Sequence, residues 1–207
     1  MRAGSAAVRK EGGAMSQKSS GFIRQPGDQY MTPEWVTESL LHIVPMYGKV
    51  WEPASGEGSI ARVIRNLCGG MVEVAESDIE TGHDFLDPKV QASYFLPEQG
   101  PFAIVTNPPY GKQGKLAEQF VRIAVEITQI NRGRVAMLLP LAWDAEKGRH
   151  DLFEDFPGHV TKITLTERIR WTNLPQSKSG PSENHAWFIW DHSRKGRDAH
   201  WIGRVSQ

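Results

Sequence analysis

The sequence has very little cysteine, with a single residue, Cys68, among 207. One cysteine excludes an internal disulfide and a cysteine-rich zinc site, and the lack of disulfides favours a reducing, cytoplasmic environment. Runs of about 18 apolar residues, which a membrane-spanning helix needs, are also missing. The first residues lack the apolar stretch of a secretory signal. We therefore expect a cytoplasmic protein without a membrane span.

An excess of charge of either sign is missing too. The 24 lysine and arginine residues balance 24 aspartate and glutamate residues, whereas proteins that hold DNA without sequence preference are usually basic. The balance speaks against a strong sequence-independent DNA binder and is compatible with a nucleic-acid enzyme that has a local basic rim. The seven histidines show no paired metal-ligand spacing, so we expect no metal. The G-x-S-x-G motif of serine hydrolases is absent as well.

What the sequence does contain is an alternation of apolar strands with amphipathic helices. Helical patterns begin at residues 32–34, where Thr32 is suited to cap the helix, and again at Ile60 and Ala117. Strands are predicted at 49–52, 71–75, 102–105, 135–139, 160–165 and 186–190. This alternation predicts an α/β fold with a mostly parallel, Rossmann-like sheet and helices on both faces.

The two ends of the chain differ from this alternating region. Residues 1–21 are rich in glycine, alanine, serine and basic residues without an apolar period, which predicts a disordered N-terminal arm. Residues 194–207 begin with a basic run and are predicted to be a solvated C-terminal tail. We place a single domain at residues 22–193.

A glycine turn (residues 52–58) follows the first predicted strand and is the first candidate for a cofactor site. It contains Glu52, Pro53, Ala54, Gly56 and Gly58. Glycine allows a sharp turn and a close approach to a ligand, but the turn has neither the P-loop nor the G-x-G-x-x-G pattern. An acidic residue at a strand end suits a cationic ligand such as S-adenosylmethionine better than a pyrophosphate. A plain tight turn is the alternative interpretation.

Two further acidic positions follow. Asp78 lies twenty residues after Gly58, where an acidic residue commonly accepts hydrogen bonds from a ribose; capping a loop is the alternative. Asp84 is placed to accept from an adenine amino group, with Phe85 beside the ring. The order of these features on this strand pattern predicts one nucleoside-containing cofactor at the carboxyl edge of the sheet.

The Asn-Pro-Pro-Tyr motif (residues 107–110) comes directly after a buried strand. Pro108 and Pro109 fix the backbone and remove two N–H donors. The side-chain oxygen of Asn107 and the carbonyl of Pro108 are then two acceptors for the hydrogens of one –NH2 group. Tyr110 offers a ring on which a flat base can stack. The motif predicts methylation of an amino group, and a simple Pro-Pro turn is the alternative.

Taken in this order, the motifs resemble the class I, Rossmann-like methyltransferases, and specifically small phage and bacterial enzymes that methylate N6 of adenine in DNA. The resemblance covers residues 28–192 and includes a late segment at 183–191. It implies a seven-stranded sheet whose last strand, at 186–190, runs antiparallel. It also implies S-adenosylmethionine as cofactor, with Tyr30 and Thr32 near its methionine end and residues 107–110 catalytic.

Contact with DNA requires the target base to be flipped out of the duplex or presented in a single strand. The loop after the motif carries Lys112 and Lys115, which we expect to contact phosphates or to cover the base; an ordinary solvated loop is the alternative. Trp171, in a polar segment at 168–181, is a candidate wall of the base pocket, with ordinary packing equally open. Residues 143–149 are a further rim candidate.

The chain has no room for a large recognition domain, so loops, low specificity or a partner protein must account for sequence choice.

Several other functions remain open at this stage. Related motifs serve methyltransferases of protein glutamine N5, RNA guanine N2 and DNA cytosine N4, the last more often with serine or threonine in the first position. Residues 30–33 stand where a protein-glutamine enzyme usually carries a helical substrate domain, which favours a nucleic-acid substrate. A methyltransferase-like module that binds without catalysis is the remaining alternative, although the intact Asn107 and glycine turn speak against it.

Overall fold

The computed structural model of the protein describes residues 30–95, 102–171 and 183–202, with side chains up to residue 198. The predicted N-terminal arm at 1–21 and most of the late polar segment at 168–181 lie outside the described residues. No helix in the described part is long and apolar enough to cross a membrane.

The described strands form one seven-stranded sheet. In chain order they are β1 (Gly48–Glu52), β2 (Val72–Glu76), β3 (Phe102–Thr106), β4 (Arg134–Pro140), β5 (His159–Leu165), β6 (His185–Asp191) and β7 (Gly196–Ile202). Their spatial order is β2-β1-β3-β4-β6-β5-β7. All neighbouring strands run parallel except β6, which is antiparallel to both β4 and β5. The predicted Rossmann-like sheet and the antiparallel direction of the strand at 186–190 are confirmed.

Helices cover both faces of this sheet, as predicted. The described ones are α1 (Glu34–Ile43), α2 (Ser59–Cys68), α3 (Pro88–Tyr94), α4 (Lys115–Gln129) and α5 (His150–Phe153). Successive residues of a strand point to opposite faces, so β4 sends Ala136 and Leu138 into the core with α1 and α2. Val135, Met137 and Leu139 of the same strand enter the second core with α4 and α5.

Two details of the sequence analysis are corrected at the edges of the sheet. Residues 196–202, predicted to be tail, form β7, which pairs with β5; Arg197 also donates to the backbone carbonyl of Phe153 at 3.0 Å. Met71, predicted to begin the second strand, lies in a short 3-10 helix before β2 and is 60% exposed.

Candidate active site

The carboxyl ends of β1, β2 and β3 place most of the predicted site residues at one edge of the sheet. These three strands are parallel neighbours, so the segments that follow Glu52, Glu76 and Thr106 emerge side by side. Ligands of open α/β sheets bind at this edge. The structure therefore brings the glycine turn, the loop after β2 and the Asn-Pro-Pro-Tyr motif together.

The glycine turn is held by its own acidic residue. Gly56 and Gly58 have φ values of 50° and 71°, in the left-handed region that favours glycine. Glu52 is 1% exposed, and its Oε2 accepts a hydrogen bond from the Ala61 backbone N–H at 2.8 Å, in the first turn of α2. Burial raises the pKa of Glu52 well above its usual value, against the opposing effect of the Ala61 hydrogen bond. The predicted partner of a cation is thus a buried acid beside the turn.

Asp78 fastens the loop after β2 to the glycine turn. Its Oδ2 accepts from the Gly56 N–H at 2.8 Å, and its Oδ1 accepts from the Glu80 N–H at 2.9 Å. The residue is 9% exposed. Because both carboxylate oxygens have backbone partners, Asp78 fits the loop-capping alternative better than the predicted role of ribose acceptor.

Glu76 is a candidate site residue that the sequence analysis missed. Its Oε2 lies 2.6 Å from the place that a Cβ on Gly58 would occupy, and its Oε1 forms an ion pair with Arg65. Its side chain keeps 29% of its accessible surface. Glu76 therefore presents a carboxylate against the glycine turn. Its position as the last residue of a strand was the available signal, but the twenty-residue spacing favoured Asp78.

Asp84 and Phe85 do not act together as predicted. Asp84 is partly exposed, and its Oδ1 accepts from the Leu86 N–H at 2.9 Å. Phe85 is 1% exposed, with its ring centroid 5.1 Å from that of Trp51 and 4.7 Å from that of Phe120. The prediction that Phe85 lies beside an adenine ring is therefore corrected, because the side chain belongs to the core.

Asn107 is oriented by Thr32. The Asn107 Nδ2 donates to the Thr32 Oγ1 at 3.3 Å, and Asn107 Oδ1 accepts no hydrogen bond from a residue that the structure describes. Thr32 does not cap α1 as predicted: Pro33 takes that position, without a side-chain hydrogen bond. The amide oxygen of Asn107 is therefore left as an acceptor at the carboxyl edge of the sheet.

Four rings form a row that begins at Tyr110, three residues after Asn107. The Tyr110 hydroxyl donates to the Leu138 carbonyl at 3.3 Å, and the Tyr110 ring lies 6.2 Å from that of His185. His185 in turn meets Trp171 at 5.4 Å, and Trp171 meets Tyr30 at 5.2 Å. Trp171 is 7% exposed, so it packs within the row. The sequence analysis missed His185, which lies inside an apolar strand.

The basic loop with Lys112 and Lys115 and the rim candidate at residues 143–149 have different surroundings. Lys112 and Lys115 are exposed at the start of α4, where a phosphate contact remains a prediction. In the segment 143–149, Trp143 and Arg149 are buried, and the guanidinium carbon of Arg149 lies 4.2 Å from the centroid of the Trp143 ring. Arg149 also donates to Glu118 of α4 at 3.2 Å. The prediction of a rim at 143–149 is corrected for these two residues, which support α4 from inside.

In the described ranges, no group of three or more histidine, cysteine, aspartate or glutamate side chains could hold a metal ion.

Comparison with known proteins gives similarity in structure alone. No protein-family model matches the chain, and no curated protein matches it in sequence. Among solved structures, it aligns with a protein of Listeria monocytogenes described as a class I S-adenosylmethionine-dependent methyltransferase, with a TM-score of 0.51 and 17% identity over 85% of this chain. The protein has the class I methyltransferase fold. This fold agrees with the cofactor predicted from the motifs, S-adenosylmethionine.

Two other similar structures differ in the substrates that their descriptions imply. One is the methyltransferase subunit of a type I restriction-modification system from Streptococcus thermophilus, with a TM-score of 0.52 and 18% identity over 84% of this chain. The other, from Pyrococcus horikoshii, is described as an RNA methyltransferase, with a TM-score of 0.50 and 15% identity over 84% of this chain. The chain spans 66% of the Listeria protein, 47% of the Streptococcus protein and 93% of the Pyrococcus protein.

Proposed function

We propose that this protein is an S-adenosylmethionine-dependent methyltransferase that methylates the N6 amino group of adenine in DNA. The observation that carries the proposal is the Asn107 amide, whose nitrogen is held by Thr32 at 3.3 Å and whose oxygen is left as an acceptor. S-adenosylmethionine, when bound, supplies the electrophilic methyl group. The Asn107 Oδ1 and the Pro108 carbonyl would accept the two amino hydrogens, which would keep the nitrogen lone pair out of the ring and direct it at the methyl carbon. The amino nitrogen would give up one proton to solvent as the methyl group leaves the sulfonium.

The residues around the glycine turn fit a cationic nucleoside cofactor. Gly58 leaves room that Glu76 fills with a carboxylate oxygen, so we assign the ribose hydroxyls to Glu76 in place of Asp78. Ile79 is 69% exposed directly after Asp78 and offers an apolar surface for the adenine, whose amino group is assigned to Asp84. Glu52 supplies negative charge for the cation, and Pro53, Ala54 and Gly56 complete the turn around the cofactor. Tyr30 and Thr32 are assigned to the methionine end of the cofactor, next to the Asn-Pro-Pro-Tyr motif.

A nucleobase is the substrate that the row of rings favours. We assign the stacking of the base to Tyr110 and the wall at the other end of the row to Trp171. Lys112 and Lys115 lie at the exposed start of α4, where they would contact phosphates. The restriction-modification description of the Streptococcus protein supports DNA, and a separate specificity protein is then a natural partner. The description of the Pyrococcus protein makes RNA the second candidate.

The proposal is tested by identifying the methylated product. Purified protein is incubated with tritiated S-adenosylmethionine and, in separate reactions, with adenine-unmethylated duplex DNA, the same DNA after denaturation, total RNA and a protein extract. We expect label in DNA and, after digestion, N6-methyldeoxyadenosine by mass spectrometry. Label found in RNA alone or in protein alone would contradict the assignment of DNA.

The pH dependence of cofactor binding tests the role of Glu52. Burial raises its pKa, so the carboxyl is neutral at pH values below that raised pKa and negatively charged above it. A cationic cofactor prefers the charged form, and its dissociation constant should therefore fall as pH rises through the pKa of Glu52, with a proton released on binding. The folded state also holds this proton more tightly than the unfolded chain does. The free protein should therefore lose stability as pH rises from the usual glutamate pKa to the raised pKa of Glu52.

The matched variant is Glu52→Gln, which keeps an acceptor for the Ala61 N–H and removes the charge. We expect weaker cofactor binding with a flat pH profile and no loss of thermal stability, measured by calorimetry and by thermal melts at several pH values. Equal pH profiles for the two proteins would show that Glu52 does not face the cation.

A further inference from the structure

His185 lies at the same edge of the sheet as the Asn-Pro-Pro-Tyr motif. It is the first residue of β6 and stands opposite Pro140, the last residue of β4. Because β4 runs parallel to β3, the end of β4 and the start of antiparallel β6 are at the edge where residues 107–110 leave β3. The imidazole ring is 27° from parallel to the Tyr110 ring and nearly perpendicular to Trp171, at 89°.

The chemistry of this histidine is unusual for a residue that only packs. It is 3% exposed, and burial lowers its pKa to about 4, against the opposing effect of a hydrogen bond to the Glu183 backbone, so the ring is neutral at physiological pH. Its Nδ1 is buried and has no hydrogen-bond partner among the residues that the structure describes. A buried polar atom without a partner costs free energy, and native proteins retain few of them.

A second buried histidine shows the contrast. His159, at the opposite edge of the sheet, is 5% exposed. Its Nδ1 lies 3.3 Å from the Thr161 hydroxyl and its Nε2 lies 3.1 Å from a carboxylate oxygen of Asp198. A phenylalanine at position 185 would make similar ring contacts with Tyr110 and Trp171 and would bury no unpartnered nitrogen. Among the residues that the structure describes, Nδ1 of His185 thus lacks a partner, whereas both nitrogens of His159 have one.

We infer that His185 is a base-contacting residue, whose Nδ1 forms a hydrogen bond with the edge of the target base when the base stacks against Tyr110. This inference rests on the proposed methylation of a nucleobase. Nδ1 is buried in the free protein, so a neighbouring side chain has to move before the base can reach it. The neutral ring can make this contact as donor or acceptor according to its tautomer, without adding positive charge beside a sulfonium.

Three variants of His185 separate this role from packing. His185→Phe keeps a ring and removes both nitrogens, and with them the unpartnered Nδ1 and the hydrogen bond to the Glu183 backbone; we expect little change in melting temperature, an unchanged dissociation constant for S-adenosylhomocysteine and a kcat/KM on DNA lower by about tenfold or more, the effect of losing one hydrogen bond to the base. His185→Asn places a polar atom near the position of Nδ1 and should recover part of the activity. His185→Gln reaches instead toward the position of Nε2 and should not.

The control is His159→Phe, which removes a buried histidine whose nitrogens already have partners. We expect it to lower the melting temperature and to leave kcat/KM per folded molecule unchanged. The inference is overturned if His185→Phe keeps wild-type activity, or if it loses stability and activity together. Failure of the wild-type protein to methylate any nucleic acid in the same assay would instead reject the proposed function, so the two failures are distinguishable.

Discussion

Replacing Asn107 by alanine is expected to lower kcat/KM for methyl transfer by about 100- to 1,000-fold, the range seen when one preorganised polar group is removed from a reacting centre. The reason is the loss of one of two acceptors for the amino hydrogens. Cofactor affinity should change little, because the described hydrogen bond of the side chain goes to Thr32. Rates are measured with labelled cofactor and affinity by calorimetry with S-adenosylhomocysteine.

Two variants of Thr32 test whether its hydroxyl holds Asn107 in place. Thr32→Val removes the oxygen that accepts from Asn107 Nδ2 and should lower kcat/KM by about tenfold, as expected for one hydrogen bond, whereas Thr32→Ser keeps the oxygen and should be close to wild type. Full activity in the Asn107→Ala protein would contradict the catalytic assignment. Equal activity of the valine and serine variants would show that Asn107 does not depend on Thr32.

Replacing Gly58 by alanine is expected to weaken cofactor binding by about 10- to 100-fold. A Cβ at this position would lie 2.6 Å from Glu76 Oε2, so the carboxylate must move away from the glycine turn. Hydrogen bonds to a charged acceptor contribute about 1.5–3 kcal/mol, which corresponds to this range. The φ of 71° adds strain for alanine of about 1–2 kcal/mol in folding free energy. Calorimetry gives the affinity, and chemical denaturation gives the stability.

The backbone strain is separated from the displacement of Glu76 by a control at Gly82. This residue has a φ of 82°, and a Cβ there would meet nothing within 4 Å. Gly82→Ala should therefore lose similar stability and keep its cofactor affinity. A second variant, Glu76→Gln, should reproduce the loss of affinity without the strain. Cofactor binding by the Gly58→Ala protein as tight as by the Gly82→Ala protein would remove Glu76 from the site.

The two carboxylates at the end of β2, Glu76 and Asp78, show where reasoning from spacing fails. Asp78 stands at the interval typical of a ribose acceptor, yet its two oxygens accept from Gly56 and Glu80. Glu76, two residues earlier, has the carboxylate that faces Gly58. Which of the two acids is left for a ligand depends on backbone hydrogen bonds to Asp78, and the one from Gly56 joins two segments that only the pairing of β1 with β2 brings together.

Phe85 and Arg149 make the same point for burial. Each lies in a polar segment, Phe85 beside Asp84 and Arg149 beside charged residues, so the sequence predicted a ligand contact for one and a rim position for the other. In the structure Phe85 packs against Trp51 and Phe120, and Arg149 lies over Trp143. The polarity of the neighbouring residues did not predict either position, because both side chains contact α4. Phe85 packs against Phe120, and Arg149 donates to Glu118.

The sequence by itself determined the first six strands, three of the helices that alternate with them and the placing of the Asn-Pro-Pro-Tyr motif after a buried strand. These features follow from apolar periodicity and from proline and glycine, which act over a few residues. Only the tertiary structure decided that Thr32 orients Asn107, that Glu76 faces the glycine turn and that His185 joins Tyr110 to Trp171. Those contacts join residues far apart in the chain, and the pairing of strands across the sheet is what brings them into reach.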